Sequence, residues 1–120
     1  MNRQQTEKLW REEKYRVMSH SQKHYNQIRQ AMRDQLTYAQ IEQLIHAALQ
    51  QPPTAGSMSN ACQHMWGYFR KVATPEEKQT YEQLLHGKDF STLLYLLQQL
   101  ANQYNVTYLR ESTILQREEQ

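Results

Sequence analysis

Apolar residues recur every three to four positions along most of the chain, the spacing that places side chains on one face of an α-helix. The first such stripe follows Thr6, a residue type that caps helices, and it predicts a helix from there to about His20. The stripe resumes after Ser21 and runs to about Gln35. Ser21 is either a second cap or a mild kink, so the pattern allows one helix or two. The apolar positions of this part are Leu9, Trp10, Val17, Met18, Tyr25, Ile28, Met32 and Leu36.

The middle of the chain contains two further apolar stripes, separated by a loop with two adjacent prolines at residues 51–56. The stripe before the loop starts at Thr37 and comprises Ile41, Leu44, Ile45, Ala48 and Leu49. After the loop, a helix is predicted over residues 57–72, because apolar residues step by four, three, four and three at Met58, Cys62, Met65, Phe69 and Val72.

Capping residues mark the helices of the C-terminal half. Thr74-Pro75-Glu76-Glu77 has the pattern of a capping box with proline at the first helical position, and Gly87 is expected to end the helix that begins there. Asp89 is expected to cap the most hydrophobic helix, which runs to about Tyr104 and is predicted to be central. A final helix is predicted to start at Asn105 or Thr107 and to contain Tyr108, Leu109, Ile114 and Leu115.

These elements predict an all-α fold, a single compact bundle of about six to seven helices. Only three glycines and three prolines occur in 120 residues, which favours long helices with few breaks. A chain of this length can bury one core without disulfides or a metal. Residues 1–120 are therefore expected to form one domain, with residues 1–5 and 117–120 frayed.

Charge is distributed unevenly along the chain. Residues 1–33 contain eight basic and three acidic residues, a net charge of +5, whereas the whole chain has a net charge of +2. Such a basic end can attract a polyanion, although it can equally be a solvated helix face balanced by nearby acids. No segment has the apolar core of a signal peptide or the length of a membrane span, and Cys62 is the only cysteine. We expect a cytoplasmic protein with no membrane partner and no disulfide.

Sequence signatures of catalysis are mostly absent, so neither a cofactor nor catalytic activity of its own is expected. His20 and His24 are four residues apart but have no obvious third ligand, so no metal site is predicted. Cys62 lies within an apolar stripe, which favours a core cysteine over a reactive thiol.

The more suggestive residues lie on the opposite side of the helix that contains Cys62. Asn60, His64, Gly67 and Lys71 fall within about 60° of one another at 100° per residue, and Tyr68 borders them. Such a strip can contact phosphates or stack a base. The alternative is a helix that packs on a neighbour through Gly67. Basic and aromatic residues also alternate at Lys14-Tyr15-Arg16 and Tyr108-Leu109-Arg110, as in many contacts to unstacked bases.

Two separated motifs carry a family resemblance. They are Leu9-Trp10 with Lys14-Tyr15, Val17-Met18-Ser19-His20-Ser21 and Tyr25, and later His64-Met65-Trp66-Gly67-Tyr68-Phe69-Arg70-Lys71. With the Thr-Pro-Glu-Glu-Lys segment and the leucine-rich helix beyond it, the chain resembles the YbgA-like family from about Leu9 to Leu109. It departs from the family in its last segment, which has no proline.

The resemblance implies an all-α domain, found alone or fused behind a desulfidase domain that removes sulfur from thiouracil or from thiouridine in transfer RNA. In the fused proteins the helical part is thought to help hold RNA, and the catalytic cysteines belong to the other domain. The residues carried over from the matching motifs are Lys14, Tyr15, His20, His64, Gly67, Tyr68 and Lys71.

The leading hypothesis is therefore a helical module that binds structured RNA, transfer RNA in particular, as an accessory to thiouridine desulfidation. Lysines and arginines would neutralise phosphates, while Tyr15, His64 and Tyr68 would stack or form hydrogen bonds. The alternative is a protein-interaction module that docks a separate desulfidase or another enzyme through an exposed part of the helix bearing Trp66. A third hypothesis is an enzyme using His64 with Cys62, although their side chains should point to different faces.

Overall fold

The computed structural model describes residues 2–116, which form seven α-helices and one short 3₁₀ helix. In chain order they are α1 (Arg3–His20), α2 (Gln22–Arg33), α3 (Tyr38–Leu49), α4 (Ala55–Trp66), α5 (Pro75–His86), α6 (Phe90–Gln103), α7 (Thr107–Arg110) and the 3₁₀ helix (Thr113–Leu115). This architecture confirms the predicted all-α fold. Of the two ends predicted to be frayed, residues 117–120 lie outside the described residues, whereas residues 3–5 belong to α1.

Ser21 separates the first two helices. Its backbone is extended, with φ −164° and ψ 116°, and its side chain accepts a hydrogen bond from the backbone N–H of His24. The pattern that allowed one helix or two therefore corresponds to two, because Ser21 ends α1 and caps α2.

The first helix begins earlier than its apolar stripe predicts. Asn2 is the N-cap and forms a capping box with Gln5, so α1 starts at Arg3. Thr6 is not the cap; it is a buried residue of the first turn, and its hydroxyl donates to the carbonyl oxygen of Asn2. Asn and Thr are both good caps, and the upstream one is used because Gln5 stands at the position that completes the box.

The helix predicted over residues 57–72 is displaced and shorter. A capping box of Thr54 with Ser57 starts α4 at Ala55, and α4 ends at Trp66. Beyond it, residues 67–72 form turns with hydrogen bonds between residues three apart, as from the N–H of Phe69 to Trp66 O (2.8 Å). Gly67 is a poor helix former, and Thr74 must be extended before Pro75 to cap α5, so the helix cannot continue. Val72, predicted to face inward, is 52% exposed.

The predicted final helix is also interrupted. It forms only the single turn α7 before Ser112, whose backbone is extended and whose hydroxyl donates to Tyr108 O (3.1 Å). The 3₁₀ helix follows, and its Ile114 and Leu115 are buried as the apolar pattern requires.

Two hydrophobic cores hold the helices together. The first core centres on α4 and α6, and α6 contributes the buried residues Leu93, Leu94, Leu97, Leu100 and Ala101. This confirms the central position predicted for the most hydrophobic helix. The second core lies between α1, α2 and α3 and comprises Trp10, Val17, Ile28, Ala31, Met32, Ile41, Ile45 and Ala48. Because α1 also buries Tyr15 and Met18 in the first core, it belongs to both. Among the described residues, no helix combines the length and hydrophobicity needed to cross a membrane.

Candidate functional site

Three tyrosines from distant parts of the chain meet at one place on the surface. Tyr15 lies on α1, Tyr68 in the turn after α4, and Tyr108 on α7. The rings of Tyr68 and Tyr108 are stacked, with centroids 5.9 Å apart and planes at 24°. The Tyr15 ring meets Tyr68 edge-on at 6.4 Å. We call these three residues, with Lys14, the tyrosine cluster.

Lys14 covers the outer side of this cluster. Its Nζ lies 5.6 Å from the centroid of the Tyr108 ring, within the range of a cation–π contact. Tyr68 is 40% exposed, so part of its ring faces solvent beside a positive charge.

Tyr15 supports the cluster from beneath. It is only 7% exposed, and its hydroxyl lies 3.3 Å from the hydroxyl of Tyr68. Burial raises the pKa of Tyr15 well above its usual value, and the hydrogen bond with Tyr68 adds to the effect, so this phenol stays protonated. The Tyr15 ring is almost completely buried and contacts Tyr68, so it offers little surface for stacking on a base. A contact of Tyr15 with RNA stays a prediction.

Phe69 anchors the turn that presents Tyr68. Its side chain is fully buried and packs against Trp66 and Tyr104, at centroid distances of 6.2 Å and 6.1 Å. Its neighbours Tyr68 and Arg70 are both exposed. The sequence Tyr68-Phe69-Arg70 thus forms a turn with one inward anchor and two outward side chains.

The remaining predicted site residues are not part of the tyrosine cluster. His64 is exposed and lines an open depression with Asn60 and Gln22, whose side chains are hydrogen-bonded to each other. His20 is half-buried, and its Nδ1 lies 2.7 Å from the carbonyl oxygen of Gln51, so it helps to hold the loop before α4. Lys71 is exposed in the turn after α4 and is not on the helical strip predicted for it, because α4 ends before it.

Gly67 does not pack against a neighbouring helix, contrary to the alternative considered from sequence. Among the described residues outside its immediate neighbours, a Cβ at this position would meet only the carbonyl oxygen of His64, at 3.1 Å. Gly67 instead ends α4, and its exposed position beside Tyr68 leaves the backbone there open to solvent.

Local ion pairs balance much of the basic N-terminal segment. The pairs within 4 Å in the described chain are Arg3–Glu7, Lys8–Glu12, Arg16–Glu13 and Arg11–Glu111. Lys14 takes no part in these pairs and lies over Tyr108. Four of the eight basic residues in residues 1–33 are thus paired, and among the other four Lys14 is distinguished by its aromatic contact.

Trp66 and Cys62, which two of the alternative hypotheses involve, are both buried. Trp66 is 5% exposed and its ring stacks on Tyr81, with centroids 4.2 Å apart and planes at 6°, so it cannot anchor an external partner. Cys62 is fully buried, and burial raises its pKa to about 12, which confirms a core cysteine and leaves His64 on the opposite, exposed side.

No metal-binding arrangement of three or more His, Cys, Asp or Glu side chains occurs within the described part of the chain. His24, one of the two histidines considered for such a site, has its Nδ1 2.7 Å from the hydroxyl of Ser21. That hydroxyl belongs to the residue which separates α1 from α2, so the two histidines lie on different helices.

Tyr108 is the member of the cluster that was not among the predicted site residues. Its sequence signal, an aromatic residue beside Arg110, is the same as that of Lys14-Tyr15. The signal is common on helix surfaces, and only the packing of α7 against α1 and the turn after α4 distinguishes it here.

Comparison with known proteins supplies a family. The sequence matches the family model described as "Protein of unknown function (DUF1722)" over residues 14–117. A search of curated proteins and a search of solved structures each gave no match. The matched range includes all four residues of the tyrosine cluster and covers well over half of the chain, so the protein belongs to the DUF1722 family.

Proposed function

We propose that this domain is a non-catalytic helical module that binds RNA through the tyrosine cluster. The observation that carries the proposal is the contact of Lys14 with Tyr108 beside the partly exposed ring of Tyr68. An unpaired base can stack on a tyrosine ring, and a neighbouring lysine can contact the adjacent phosphate. Tyr15 holds Tyr68 from beneath, so less side-chain freedom is lost on binding.

The class of RNA follows from the resemblance to the YbgA-like family. That resemblance points to transfer RNA and to a role as an accessory to thiouridine desulfidation, carried out by a separate desulfidase in the cytoplasm. The chain's own contribution would be to hold RNA, because its single cysteine is buried and protonated at neutral pH.

The test is binding of labelled transfer RNA followed by fluorescence anisotropy at salt concentrations from about 50 to 200 mM, where phosphate contacts weaken steeply. We expect the logarithm of the affinity to fall linearly with the logarithm of salt concentration. Tyr68→Ala should lower affinity by about fivefold or more, as expected for loss of one stacked base. Lys14→Glu should lower affinity and reduce the salt slope.

Two matched variants serve as controls. Tyr95→Ala removes a tyrosine that is 49% exposed on α6. Lys88→Glu reverses a charge just before the start of α6, whereas Tyr108 lies on α7, just after the end of α6. That helix has 14 residues and is roughly 21 Å long, so Lys88 is remote from Tyr108. Absence of binding at the lowest salt, or equal losses in control and cluster variants, would contradict the proposal.

A second candidate function is docking of a protein partner, such as a separate desulfidase. Trp66 is not available for it, but Tyr68 and Val72 are exposed four residues apart in the same turn. Such a contact would depend on apolar burial and therefore only weakly on salt. Val72→Ser should disrupt protein docking while leaving transfer RNA affinity unchanged, and co-purification with a desulfidase would measure it.

A further inference from the structure

A cleft of about 410 Å³ lies between the end of α4, the turn that follows it, and α5. Trp66 and Tyr81 are among its lining residues and are almost completely buried, so they form its floor. The exposed side chains of Arg70, Lys78, Glu82 and His86 lie around its edge. Clefts of roughly 300 to 1,000 Å³ commonly hold small ligands, so this one has the size for a nucleotide.

The edge of the cleft has an excess of positive charge. Arg70 and Lys78 are cations at neutral pH, whereas Glu82 is the one carboxylate among the lining residues. Among the described residues, no carboxylate oxygen lies within 4 Å of the side-chain nitrogens of Arg70 or Lys78. This contrasts with Arg3, Lys8, Arg11 and Arg16 on α1, each of which pairs with a glutamate. An anion entering the cleft would therefore meet two cations that form no close ion pair among the described residues, with Glu82 the single carboxylate on the same edge.

Tyr81, on the floor of the cleft, provides a further hydrogen-bond donor. Burial raises the pKa of Tyr81 to about 12, while the positive charge of Arg70 acts in the opposite direction. Glu82, on the edge of the cleft, acts in the same direction as burial. Because the phenol is protonated at neutral pH, it can donate a hydrogen bond to a ligand oxygen.

We propose that this cleft binds a phosphate group, held by Arg70 from the turn after α4 and by Lys78 from α5. A guanidinium donates two parallel hydrogen bonds to phosphate oxygens, and an ammonium adds a compact charge on a flexible stem. Phosphate fits this set of donors better than a carboxylate does, because it has more acceptor oxygens and can meet donors from both sides of the cleft.

The phosphate can come from a free phosphate ester or from an RNA backbone. Tyr68 and Arg70 flank the buried Phe69 in the same turn, so RNA stacked on Tyr68 would bring phosphates close to the cleft. The inference does not rest on the proposed RNA function, because a free phosphate ester would satisfy the cleft equally well. The two sources are distinguished by the choice of probe.

The two tryptophans of the chain provide the measurement, since Trp66 lines the cleft and Trp10 belongs to the second core. The indole N–H signals of ¹⁵N-labelled protein would be followed while inorganic phosphate, adenosine 5′-monophosphate or a short oligoadenylate is added at constant ionic strength. We expect at least one probe to shift the Trp66 signal saturably, with half-saturation at about 1 mM or below, while Trp10 is unchanged. A response to the two small probes indicates a free ester; a response to the oligoadenylate alone indicates an RNA phosphate.

Charge-neutral variants complete the test. Arg70→Gln and Lys78→Gln should each raise the half-saturation concentration about tenfold, as expected when one charge-assisted contact is lost. Lys23→Gln, which removes an exposed charge on α2, a helix that contributes no residue to the cleft, should leave it unchanged. An unmoved Trp10 signal in each variant shows that the fold is retained. The proposal is overturned if none of the three probes shifts Trp66, or if the double variant Arg70→Gln with Lys78→Gln responds as the unaltered protein does. Neither result depends on whether Tyr68→Ala affects transfer RNA binding.

Discussion

Tyr15 connects the first hydrophobic core to the tyrosine cluster, the proposed RNA-binding surface. Its ring is buried in the first core, and its hydroxyl lies 3.3 Å from that of Tyr68. A hydrogen bond between two phenols restricts the rotation of the outer ring, which is the one available for stacking. In the proposed RNA complex, Tyr15 would therefore be a positioning residue that acts through Tyr68.

Replacing Tyr15 by Phe tests this role, because it removes the hydroxyl and keeps the buried ring. We expect unfolding to become easier by about 0.5 to 1.5 kcal/mol, the usual contribution of one hydrogen bond. Transfer RNA affinity should also fall, by about two- to fivefold, because Tyr68 is less restricted. Chemical denaturation and anisotropy titration measure the two effects.

The matched control for Tyr15→Phe is Tyr95→Phe, which removes a hydroxyl that accepts a hydrogen bond from Gln99 on the surface of α6. It should leave RNA affinity unchanged. A Tyr15→Phe variant that loses stability but binds transfer RNA normally would show that the hydroxyl serves only the core.

At the scale of secondary-structure elements, hydrogen bonds at the start of α5 connect this helix to the end of α6. Thr74 Oγ1 accepts from the Glu77 N–H (3.1 Å), and the Glu77 carboxylate accepts from the Thr74 N–H (2.9 Å). The same carboxylate accepts from the Tyr104 hydroxyl (2.7 Å), just after the end of α6. These hydrogen bonds, with that of Tyr104 the largest cause, lower the pKa of Glu77. The capping box therefore contributes to helix packing as well as to helix initiation.

Thr74→Ala should reduce the free energy of unfolding by about 1 kcal/mol, the usual effect of removing a cap. Thr80→Ala is the matched control. It deletes the same hydroxyl within the same helix, where the hydroxyl donates to Glu76 O and does not cap. Because alanine is the better helix former, that variant should be neutral or slightly stabilised. Urea denaturation compares the two, and equal losses would contradict a specific role for the cap.

At the scale of the whole molecule, α1 connects the two cores, because its side chains are buried in both. Tyr25 on α2 also packs against both cores. Neither core can lose its packing without exposing residues of the other. The molecule should therefore unfold as one cooperative unit, as small single domains usually do.

The positions of the tryptophans make this testable, since Trp66 reports the first core and Trp10 the second. With 5-fluorotryptophan, both ¹⁹F signals should lose their native intensity at the same urea concentration. Leu97→Ala in the first core and Ile41→Ala in the second should each cost about 2 to 5 kcal/mol and shift both signals together. Separate midpoints for the two signals would show that the cores unfold independently.

Features that depend on a few neighbouring residues could be predicted from sequence. The helix start at Thr37, the capping box at Thr74, the caps Ser21 and Asp89, and the end of α5 at Gly87 are all observed. Their energies come from hydrogen bonds between residues about three positions apart, which are the same in any fold. Burial of Cys62 followed from the same local periodicity.

Features that depend on packing between distant elements could not be predicted from sequence. The apolar pattern carried the helix of Cys62 through to Val72, although the chain turns after Trp66 so that Phe69 is buried and α5 can start. The same pattern did not show whether Trp66 is buried or exposed. Trp66 is buried because Tyr81 on α5 stacks on its ring.

The sequence by itself determined an all-helical chain, most of its helix starts and the apolar face of each helix, because those depend on short-range hydrogen bonds and periodicity. Only the tertiary structure decided that Tyr15 and Tyr68, 53 residues apart, share a hydrogen bond, and that Tyr108 completes their cluster. Side chains so far apart meet only when the free energy of burying two cores fixes the positions of whole helices relative to one another.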